Sequence, residues 1–355
     1  MAANALSPNE QKTLHGLVTH PSANDRVLGL KIGLKMSTVT AIKNRLKRRG
    51  LFVPVRVPAL ERLGWETISF AIGRLNPLVR FSTLTKQVHK VVDPIPEIVH
   101  MTMDPQAFHI MMYHRKYSDL HRTMKAIEVG LGGNELLLRS IDFYHFPFDQ
   151  SHVMSVADHA PPISAVLGRK FDVNKTKGFG DFAPPPQRHL TRVERTALLG
   201  LVKHTTIPDN RIAQHIGVTR QSVTKMRKRF EREGLMQPHK VPDLRQLGIQ
   251  LEGIAYFEWA PDSTFRKRRK QLGKGLPPTP VTTLVAQDGG AFVRGFDTSI
   301  ESLQTSLEGF ISTLAKENML RRTPDVLFLD HSRSVDIKFY QYTPLMEKYL
   351  SGDED

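Results

Sequence analysis

The chain has 355 residues, of which 40% are hydrophobic, and it contains no cysteine. This length is enough for two or more domains, and this hydrophobic content can fill their cores, which excludes a disordered protein. The absence of cysteine excludes disulfide bonds, a cysteine nucleophile and a zinc site built on thiolates.

The formal net charge of +15 is the second property that narrows the function. A positive field of this size attracts polyanions such as nucleic acid, and the position of the charge decides whether it does so here. The N-terminal residues have no apolar core of signal-peptide length, and no apolar run is long enough to span a bilayer. We therefore predict a cytoplasmic, nucleoid-associated protein with no membrane partner.

Residues 7–58 have the pattern of a winged helix-turn-helix. Leu28 and Ile32 lie one turn apart on a short predicted helix, and Gly33 is suited to end it. A longer helix follows, with an apolar stripe of Val39, Ile42 and Leu46. Residues 26–60 hold nine Lys or Arg and no acidic residue, so positive charge is concentrated on this segment.

Residues 59–167 are predicted to form an αβ domain. Runs of β-branched and aromatic residues alternate with segments of helical period. The predicted strands are 67–75, 98–104, 107–114 and 136–146, and the predicted helices are 79–92 and 118–130. Their order, β-α-β-β-α-β, is that of the ferredoxin-like fold.

Residues 168–188 are rich in Gly, Pro and Lys without an apolar period, which predicts a linker. Beyond it the sequence repeats itself at a constant shift of 184 residues, so that Glu10 aligns with Glu194 and Gly33 with Gly217. The repeat is too long for a solenoid. We interpret it as a tandem duplication, a fused pseudo-dimer that exists as a monomer or a homodimer.

Residues 191–242 repeat the winged helix-turn-helix. Helices are predicted over 191–204, 210–216 and 220–233, with Asp209 expected to cap the second and Thr219 the third. The third helix has a buried stripe of Val223, Met226 and Phe230. Residues 235–242 are predicted to form the wing.

Residues 243–350 repeat the αβ domain. The predicted strands are 253–260, 281–288, 291–296 and 325–330, and the predicted helices are 263–272 and 298–316. The predicted fold class is therefore α+β, with two winged helix-turn-helix domains, each followed by a ferredoxin-like domain.

A winged helix followed by such a sandwich resembles the Lrp/AsnC family of bacterial and archaeal regulators. The resemblance is carried by the segment IAQHIGVTRQSVTKMRKRFEREGLM, residues 212–236. It implies binding of double-stranded DNA in transcription regulation, and it leaves open a small-molecule effector at the αβ domains. Family members usually have one such unit per chain, whereas this chain has two.

In a helix-turn-helix, the N-terminal part of the third helix reaches base edges and basic residues around it touch phosphates. The predicted base-reading residues are Ser37, Thr40, Ala41, Asn44, Arg220, Gln221, Thr224, Lys225 and Lys228. The predicted phosphate contacts are Lys35, Lys43, Arg45, Arg48, Arg49, Arg56, Arg229 and Lys240. Because the two helices differ, we predict an asymmetric site with two unlike halves.

Two alternatives stay open. One is a nucleoid-type protein that binds DNA of any sequence. The other is an enzyme, since some proteins of the Lrp/AsnC fold act as decarboxylases in haem synthesis with histidine and arginine near the sandwich. No catalytic motif stands out, so we predict no enzyme activity, no cofactor and no metal site, and we expect His100, His109 and His114 to face solvent.

Overall fold

A computed structural model describes residues 6–133, 135–169, 186–264, 267–268 and 280–350 of the chain. Most of the predicted linker and most of the predicted helix 263–272 therefore lie outside the described residues.

The helices and strands follow the predicted order, with additions. The helices are α1 (Pro8–Thr19), α2 (Asp25–Ile32), α3 (Met36–Arg48), α4 (Phe81–Val92), α5 (Tyr117–Gly132), α6 (Ala160–Val166), α7 (Arg192–Lys203), α8 (Asp209–Ile216), α9 (Arg220–Arg232), α10 (Ile300–Lys316) and α11 (Tyr342–Leu350). The strands are β1 (Phe52–Pro58), β2 (Thr67–Arg74), β3 (Ile98–Met103), β4 (Ala107–His114), β5 (Asp142–Pro147), β6 (Ser151–Ser155), β7 (Met236–Pro242), β8 (Leu251–Glu258), β9 (Val281–Gln287), β10 (Gly290–Asp297), β11 (Asp325–Asp330) and β12 (Val335–Lys338).

Each winged helix begins with the same local signal. Ser7 accepts from the backbone of Glu10 while the Glu10 side chain accepts from the backbone of Ser7, and Thr191 and Glu194 form the same capping box. Gly33 has a φ of 70°, which a residue without a Cβ adopts readily, so it ends α2 and turns the chain into α3.

The caps of the later helices agree with the sequence in one case and differ in another. Thr219 caps α9 through its side chain, as predicted. Asp209 was expected to cap α8, but the N-cap residue is Pro208 and Asp209 is the first helical residue. The Asp209 carboxylate instead accepts hydrogen bonds from Thr224 and Arg227 on α9.

The chain divides into two compact units, each assembled from three separate stretches. The first unit comprises Met1–Val53, Gln150–Phe182 and His239–Arg333. The second unit comprises Pro54–Asp149, Ala183–Pro238 and Ser334–Asp355. Each unit therefore combines the winged helix of one repeat with the αβ domain of the other.

The first unit contains a five-stranded antiparallel sheet in the order β11-β8-β10-β9-β6. One face packs on α10, where Ala255, Val293 and Leu303 belong to one buried apolar cluster. The winged helix of this unit has its own core, which includes Leu28, Leu46 and Ile163 of α6.

The second unit contains the corresponding sheet in the order β12-β3-β4-β2-β5. One face packs on α4 and α5, with Ala71, Ile110 and Ile127 in the apolar cluster. The order of the four consecutive strands is that of a ferredoxin-like domain, so the predicted fold class is confirmed.

In each sheet, one of the two edge strands comes from the other repeat. Strand β6 follows the first repeat's β5, yet Val153 pairs with Val285 of β9 in the first unit. Strand β12 follows the second repeat's β11, yet Val335 pairs with Met103 of β3 in the second unit. Each exchanged strand covers backbone groups that an edge strand would leave unpaired. The sequence predicted neither strand.

The exchanged strands each continue into a helix that packs on a winged helix. In the first unit, His15 of α1 and Ser164 of α6 lie within hydrogen-bonding distance, with 2.9 Å between Nε2 and Oγ. In the second unit, Lys203 of α7 pairs with Glu347 of α11 at 2.8 Å. No helix within the described ranges is both long enough and apolar enough to cross a bilayer.

Candidate functional sites

The sheet of the first unit has a buried ion pair on the face opposite α10. The Arg294 Nε donates to Glu252 Oε1 at 2.7 Å, and the two side chains are 5% and 0% exposed. Arg294 lies on β10 and Glu252 on β8. Phe296 of β10 is paired directly with Glu252, and Arg294, two residues before Phe296, lies on the same face of the sheet. Burial of two charges is costly unless they are paired, so this face is specialised.

Two further side chains, His331 and Phe296, lie beside this ion pair. The His331 Nδ1 lies 3.9 Å from Glu252 Oε2. The Phe296 ring is near both groups: its centroid is 5.0 Å from that of His331 and 4.9 Å from the Arg294 guanidinium carbon. The arginine is thus held by a carboxylate and by the face of an aromatic ring.

The exchanged segment contributes the fourth polar side chain. His159 lies at the start of α6, with its Nδ1 2.9 Å from the Ala157 carbonyl oxygen and its ring 6.3 Å from that of Phe296. We call Arg294, Glu252, His331 and His159 the arginine–histidine cluster. Its histidine from α6 belongs to the first repeat, whereas the other three residues belong to the second.

The two histidines of this cluster are held neutral. Burial lowers the pKa of His159 to about 3, with a contribution from the charge of Arg294. Burial likewise lowers the pKa of His331 to about 3, together with the charges of Arg245 and Arg294. A carboxylate brought beside these rings would act in the opposite direction and favour their protonated form.

The other unit lacks this cluster. The apolar faces align the two sheets, since Ala71 is paired with Ile110 in the second unit as Ala255 is paired with Val293 in the first. This register gives the equivalent residues of the second unit. Ile68 takes the position of Glu252, Met111 that of Arg294, Phe148 that of His331, and Tyr342 that of His159. The same fold is therefore stable with uncharged side chains there, which indicates that the cluster serves a function.

The second unit has a different polar cluster on the corresponding face. The Thr102 hydroxyl donates to Asp336 Oδ1 at 2.8 Å and lies 3.2 Å from His100 Nε2. The rings of His100 and His109 are 5.2 Å apart, and His100 stacks on Tyr340 at 4.4 Å. We call His100, Thr102, His109 and Asp336 the histidine–aspartate cluster.

The expectation that His100, His109 and His114 face solvent is wrong. All three are buried, because their strands are covered on both faces. For His114, burial lowers the pKa to about 3, with contributions from His145 and Lys348. Within the residues that the structure describes, no group of three or more histidines and carboxylates could hold a metal ion.

Most of the predicted base-reading residues are exposed on the third helices. These are Ser37, Ala41 and Asn44 on α3, and Arg220, Gln221, Lys225 and Lys228 on α9. The two threonines differ. The Thr40 hydroxyl donates to Asp25 at 2.7 Å and so joins α3 to α2. In the same way, the Thr224 hydroxyl donates to Asp209 at 2.8 Å and joins α9 to α8.

Several predicted phosphate contacts form internal bonds. Lys43 pairs with Asp25 at 2.5 Å, and Arg45 and Arg49 lie 2.9 and 3.5 Å from Glu10. The remaining predicted contacts are distributed as follows: Arg229 pairs with Glu194, Arg56 donates to the Leu201 carbonyl at 2.6 Å, Lys240 is half-buried in β7, and Lys35 and Arg48 are exposed.

The repeat itself explains which residues are internal. The pairs Glu10 with Arg45 and Glu194 with Arg229 occupy equivalent positions of the two winged helices. These two ion pairs hold the first and third helices of each module together, whereas the outward positions 36, 41 and 44 of α3 differ from their equivalents 220, 225 and 228 of α9.

Comparisons with known proteins place the fold. No family model matches the chain, and no curated protein matches it. The crystal structure of the siroheme decarboxylase NirDL is similar over 96% of this chain and 97% of that one, with a TM-score of 0.53 and 11% identity. NirDL in complex with an iron-uroporphyrin III analogue gives a TM-score of 0.52 at 10% identity, with 97% and 98% covered.

E. coli AsnC is similar over 40% of this chain and 93% of its own, with a TM-score of 0.32 and 16% identity. At that score the likeness carries no functional argument, whereas the NirDL likeness shows a shared fold along the whole chain. The prediction that the protein is not an enzyme is contradicted, because the full-length match is to an enzyme.

Proposed function

We propose that the protein is a decarboxylase that acts on carboxylate side chains of a tetrapyrrole, with the arginine–histidine cluster as its reactive site. The observation that carries the proposal is the buried set of Arg294, Glu252, His331 and His159, at positions where the other unit has uncharged residues. The fold shared with a siroheme decarboxylase supports the same substrate class.

Arg294 is suited to recognise a carboxylate. A guanidinium forms short, charge-assisted hydrogen bonds with carboxylates, and these bonds are strengthened where water is excluded. Glu252 balances the arginine charge in the resting protein and directs the guanidinium along the sheet face. A substrate carboxylate would bind to the guanidinium of Arg294.

The histidines are suited to supply the proton. Decarboxylation breaks the bond between the carboxyl carbon and its neighbour, releases carbon dioxide and leaves the electron pair on that neighbour, which must gain a proton. His159 and His331 are neutral when the site is empty. A bound carboxylate raises their pKa, so a ring that takes up a proton with the substrate can deliver it as a general acid.

The test has separate readouts for binding and turnover. Purified full-length chain is titrated with iron-uroporphyrin III, and a shift of its Soret absorption measures binding. Siroheme is then incubated with the chain, and mass spectrometry counts the carbon dioxide lost per molecule. We expect both a Soret shift and mass loss from the unaltered protein. Binding without loss, or neither, would refute the proposed activity.

Variants that carry the residues of the other unit locate the site. His159→Tyr, His331→Phe and the double variant Glu252→Ile/Arg294→Met should each lower the rate by about 100-fold or more, the usual contribution of a general acid or charge stabiliser. His121→Ala, on the exposed side of α5, is the control and should leave the rate unchanged. Equal rates in all variants would place the reaction elsewhere.

A second candidate function is duplex DNA binding through the second winged helix, as in a transcription regulator. Arg220, Lys225 and Lys228 are exposed on one side of α9, and none forms an ion pair in the described part of the chain. The equivalent residues of α3 are Met36, Ala41 and Asn44. Unpaired cations on the outward side of a third helix are what phosphate and base contacts require.

Selection of binding sites from random duplexes at two salt concentrations tests this function. We expect Arg220→Met, Lys225→Ala and Lys228→Asn, which introduce the residues of α3, each to weaken binding and reduce the salt slope by about 1. Ala41→Lys is the reciprocal variant. Enrichment of no sequence would indicate a packaging protein, and affinity that is independent of salt would refute DNA binding.

A further inference from the structure

Three large apolar side chains are exposed on α2 and at the start of α3 of the first winged helix. Leu30 is 80% exposed, Met36 is 55% exposed and Val27 is 40% exposed. Val27 and Leu30 are three residues apart on α2 and therefore lie on one side of it. A Cβ on Gly29 would lie 3.5 Å from the Met36 backbone nitrogen, so the start of α3 lies beside the Gly29 side of α2, next to Leu30 in the chain.

The winged-helix fold does not require this patch, which we name the α2–α3 patch. In the second repeat the three equivalent positions are polar, Arg211, Gln214 and Arg220, and all are exposed. The two modules otherwise share their caps, their glycine turn and their internal ion pairs. The apolar residues are thus specific to the first winged helix, and water contact with them is unfavourable.

The border of the α2–α3 patch is positive. Arg26, Lys31 and Lys35 flank its residues in sequence, all three are exposed, and none has an ion-pair partner among the residues that the structure describes. The acidic residue of α2, Asp25, is engaged by Lys43 and Thr40. An occupant that covers the apolar side chains and pairs with the border must be apolar along one side and acidic beside it.

We propose that the α2–α3 patch is a docking surface for an acidic, amphipathic helical segment of a partner protein. An apolar stripe on such a helix would cover Leu30, Met36 and Val27, and its flanking carboxylates would pair with the three border cations. The first winged helix is then a protein-binding module, whereas the second keeps the outward cations that DNA requires.

Two other occupants are disfavoured by the same residues. Duplex DNA would meet Met36, Ala41 and Asn44 on α3 where α9 has three cations. A second copy of the chain has a formal net charge of +15, so two positive borders would repel each other.

The probe is a synthetic amphipathic helix with leucine on one side and glutamate beside it, labelled for fluorescence anisotropy. A matched peptide has lysine in place of every glutamate. The test variant of the full-length chain is Val27→Arg/Leu30→Gln/Met36→Arg, which takes the residues of the second repeat. The control variant is Leu78→Gln/Val129→Gln, since these residues are exposed apolar side chains of the second unit.

We expect the acidic peptide to bind the unaltered chain, and the test variant to weaken its Kd at least tenfold while the control variant leaves it unchanged. The lysine peptide should bind at least tenfold more weakly than the acidic one. Methyl NMR signals of Val27, Leu30 and Met36 should shift with the acidic peptide alone.

The following results would overturn the proposal. These are no binding of the acidic peptide, equal binding of both peptides, or equal loss in the control variant. A self-association that the test variant abolishes in analytical ultracentrifugation would identify a second copy as the occupant instead. Methyl shifts of the patch produced by duplex DNA would identify DNA. Matched circular dichroism and melting of the variants show that each is folded.

Discussion

Replacement of Arg294 by methionine tests whether the buried ion pair is a structural cost carried for function. The change leaves the Glu252 carboxylate, whose side chain is 0% exposed, without the guanidinium 2.7 Å away. At an effective dielectric constant of about 20, two unit charges about 4 Å apart attract by about 4 kcal/mol. Loss of one partner of a buried pair typically costs about 3–5 kcal/mol, and we expect Arg294→Met to lower the free energy of unfolding by that amount.

The double variant Glu252→Ile/Arg294→Met separates charge from packing. It gives the first unit the residues that the second unit has at the equivalent positions, Ile68 and Met111, which lie on the same face of its sheet. Exchange of a whole buried pair for apolar residues is often neutral or stabilising by about 1–4 kcal/mol. We therefore expect the double variant to be at least as stable as the unaltered protein, although it lacks the proposed activity.

Chemical denaturation followed by tryptophan fluorescence measures both effects. The chain has two tryptophans, of which Trp259 lies in the first unit and Trp65 in the second. A Trp65→Phe background makes Trp259 the only reporter of the first unit. If Arg294→Met lowers the free energy of unfolding by less than about 1 kcal/mol, the pair behaves as a solvent-exposed one, and its burial is refuted. A double variant as unstable as the single one would refute the proposed equivalence of the two sheet faces.

Three other outcomes follow from the packing. Both ring nitrogens of His114 are buried without a hydrogen-bond partner in the described structure, and its folded pKa of about 3 lies below the usual value. The unfolded chain therefore takes up the proton first, stability falls as pH drops from about 6.5 towards 3, and His114→Leu should remove up to about 1.4 kcal/mol per pH unit of that slope in denaturation curves. Gly73→Ala places a Cβ 2.4 Å from the buried Phe108 ring and should lower the free energy of unfolding by about 1–3 kcal/mol. Gly309→Ala in α10 meets no atom within 4 Å and should raise it by up to about 1 kcal/mol. The Gly309→Ala variant should therefore melt at the higher temperature, and the reversed order would contradict this reasoning. Thr191→Ala removes the capping box of α7 and should cost about 1 kcal/mol, and no change in the melting temperature would show that the cap contributes nothing.

The elements that the sequence predicts well are those whose signal is local. The stripe of Val39, Ile42 and Leu46 is buried in α3, and Thr219 caps α9. Gly33 turns the chain with a left-handed φ, as its type suggests. Each signal depends on neighbours within a few residues, so it can be recognised without the tertiary structure.

The exchanged strands could not be predicted in this way. Strand β6 is only five residues long, and none of its residues is fully buried, so it has no clear alternation of buried and exposed positions. Which edge it joins depends on pairing with β9, about 130 residues further along the chain by the position of Val285. Closing a loop of this length costs conformational entropy, and whether the strand pairing offsets that cost depends on the rest of the fold, which a local sequence pattern does not describe.

The arginine–histidine cluster also escaped sequence reasoning, although a signal was present. His159 and His331 are 172 residues apart in the numbering and adjoin no motif. A constant shift of 184 aligns Arg294 with Ile110, but the strand register aligns it with Met111. Either alignment places an apolar residue opposite Arg294, and the constant shift also places Ile68 opposite Glu252, so a comparison of the two repeats already shows charged residues opposite uncharged ones.

The sequence by itself determined the duplication, the α+β class and the helix-turn-helix frames, because periodicity, caps and glycine turns act over a few residues. The tertiary structure decided which charges are free and which are internal, since Arg45 and Arg229 find their carboxylates only after α1 packs on α3 and α7 on α9. It also decided where buried charge is concentrated, because Arg294 and Glu252 meet only across paired strands. Pairing of charges in a dry interior depends on distance in space, which a linear pattern does not contain.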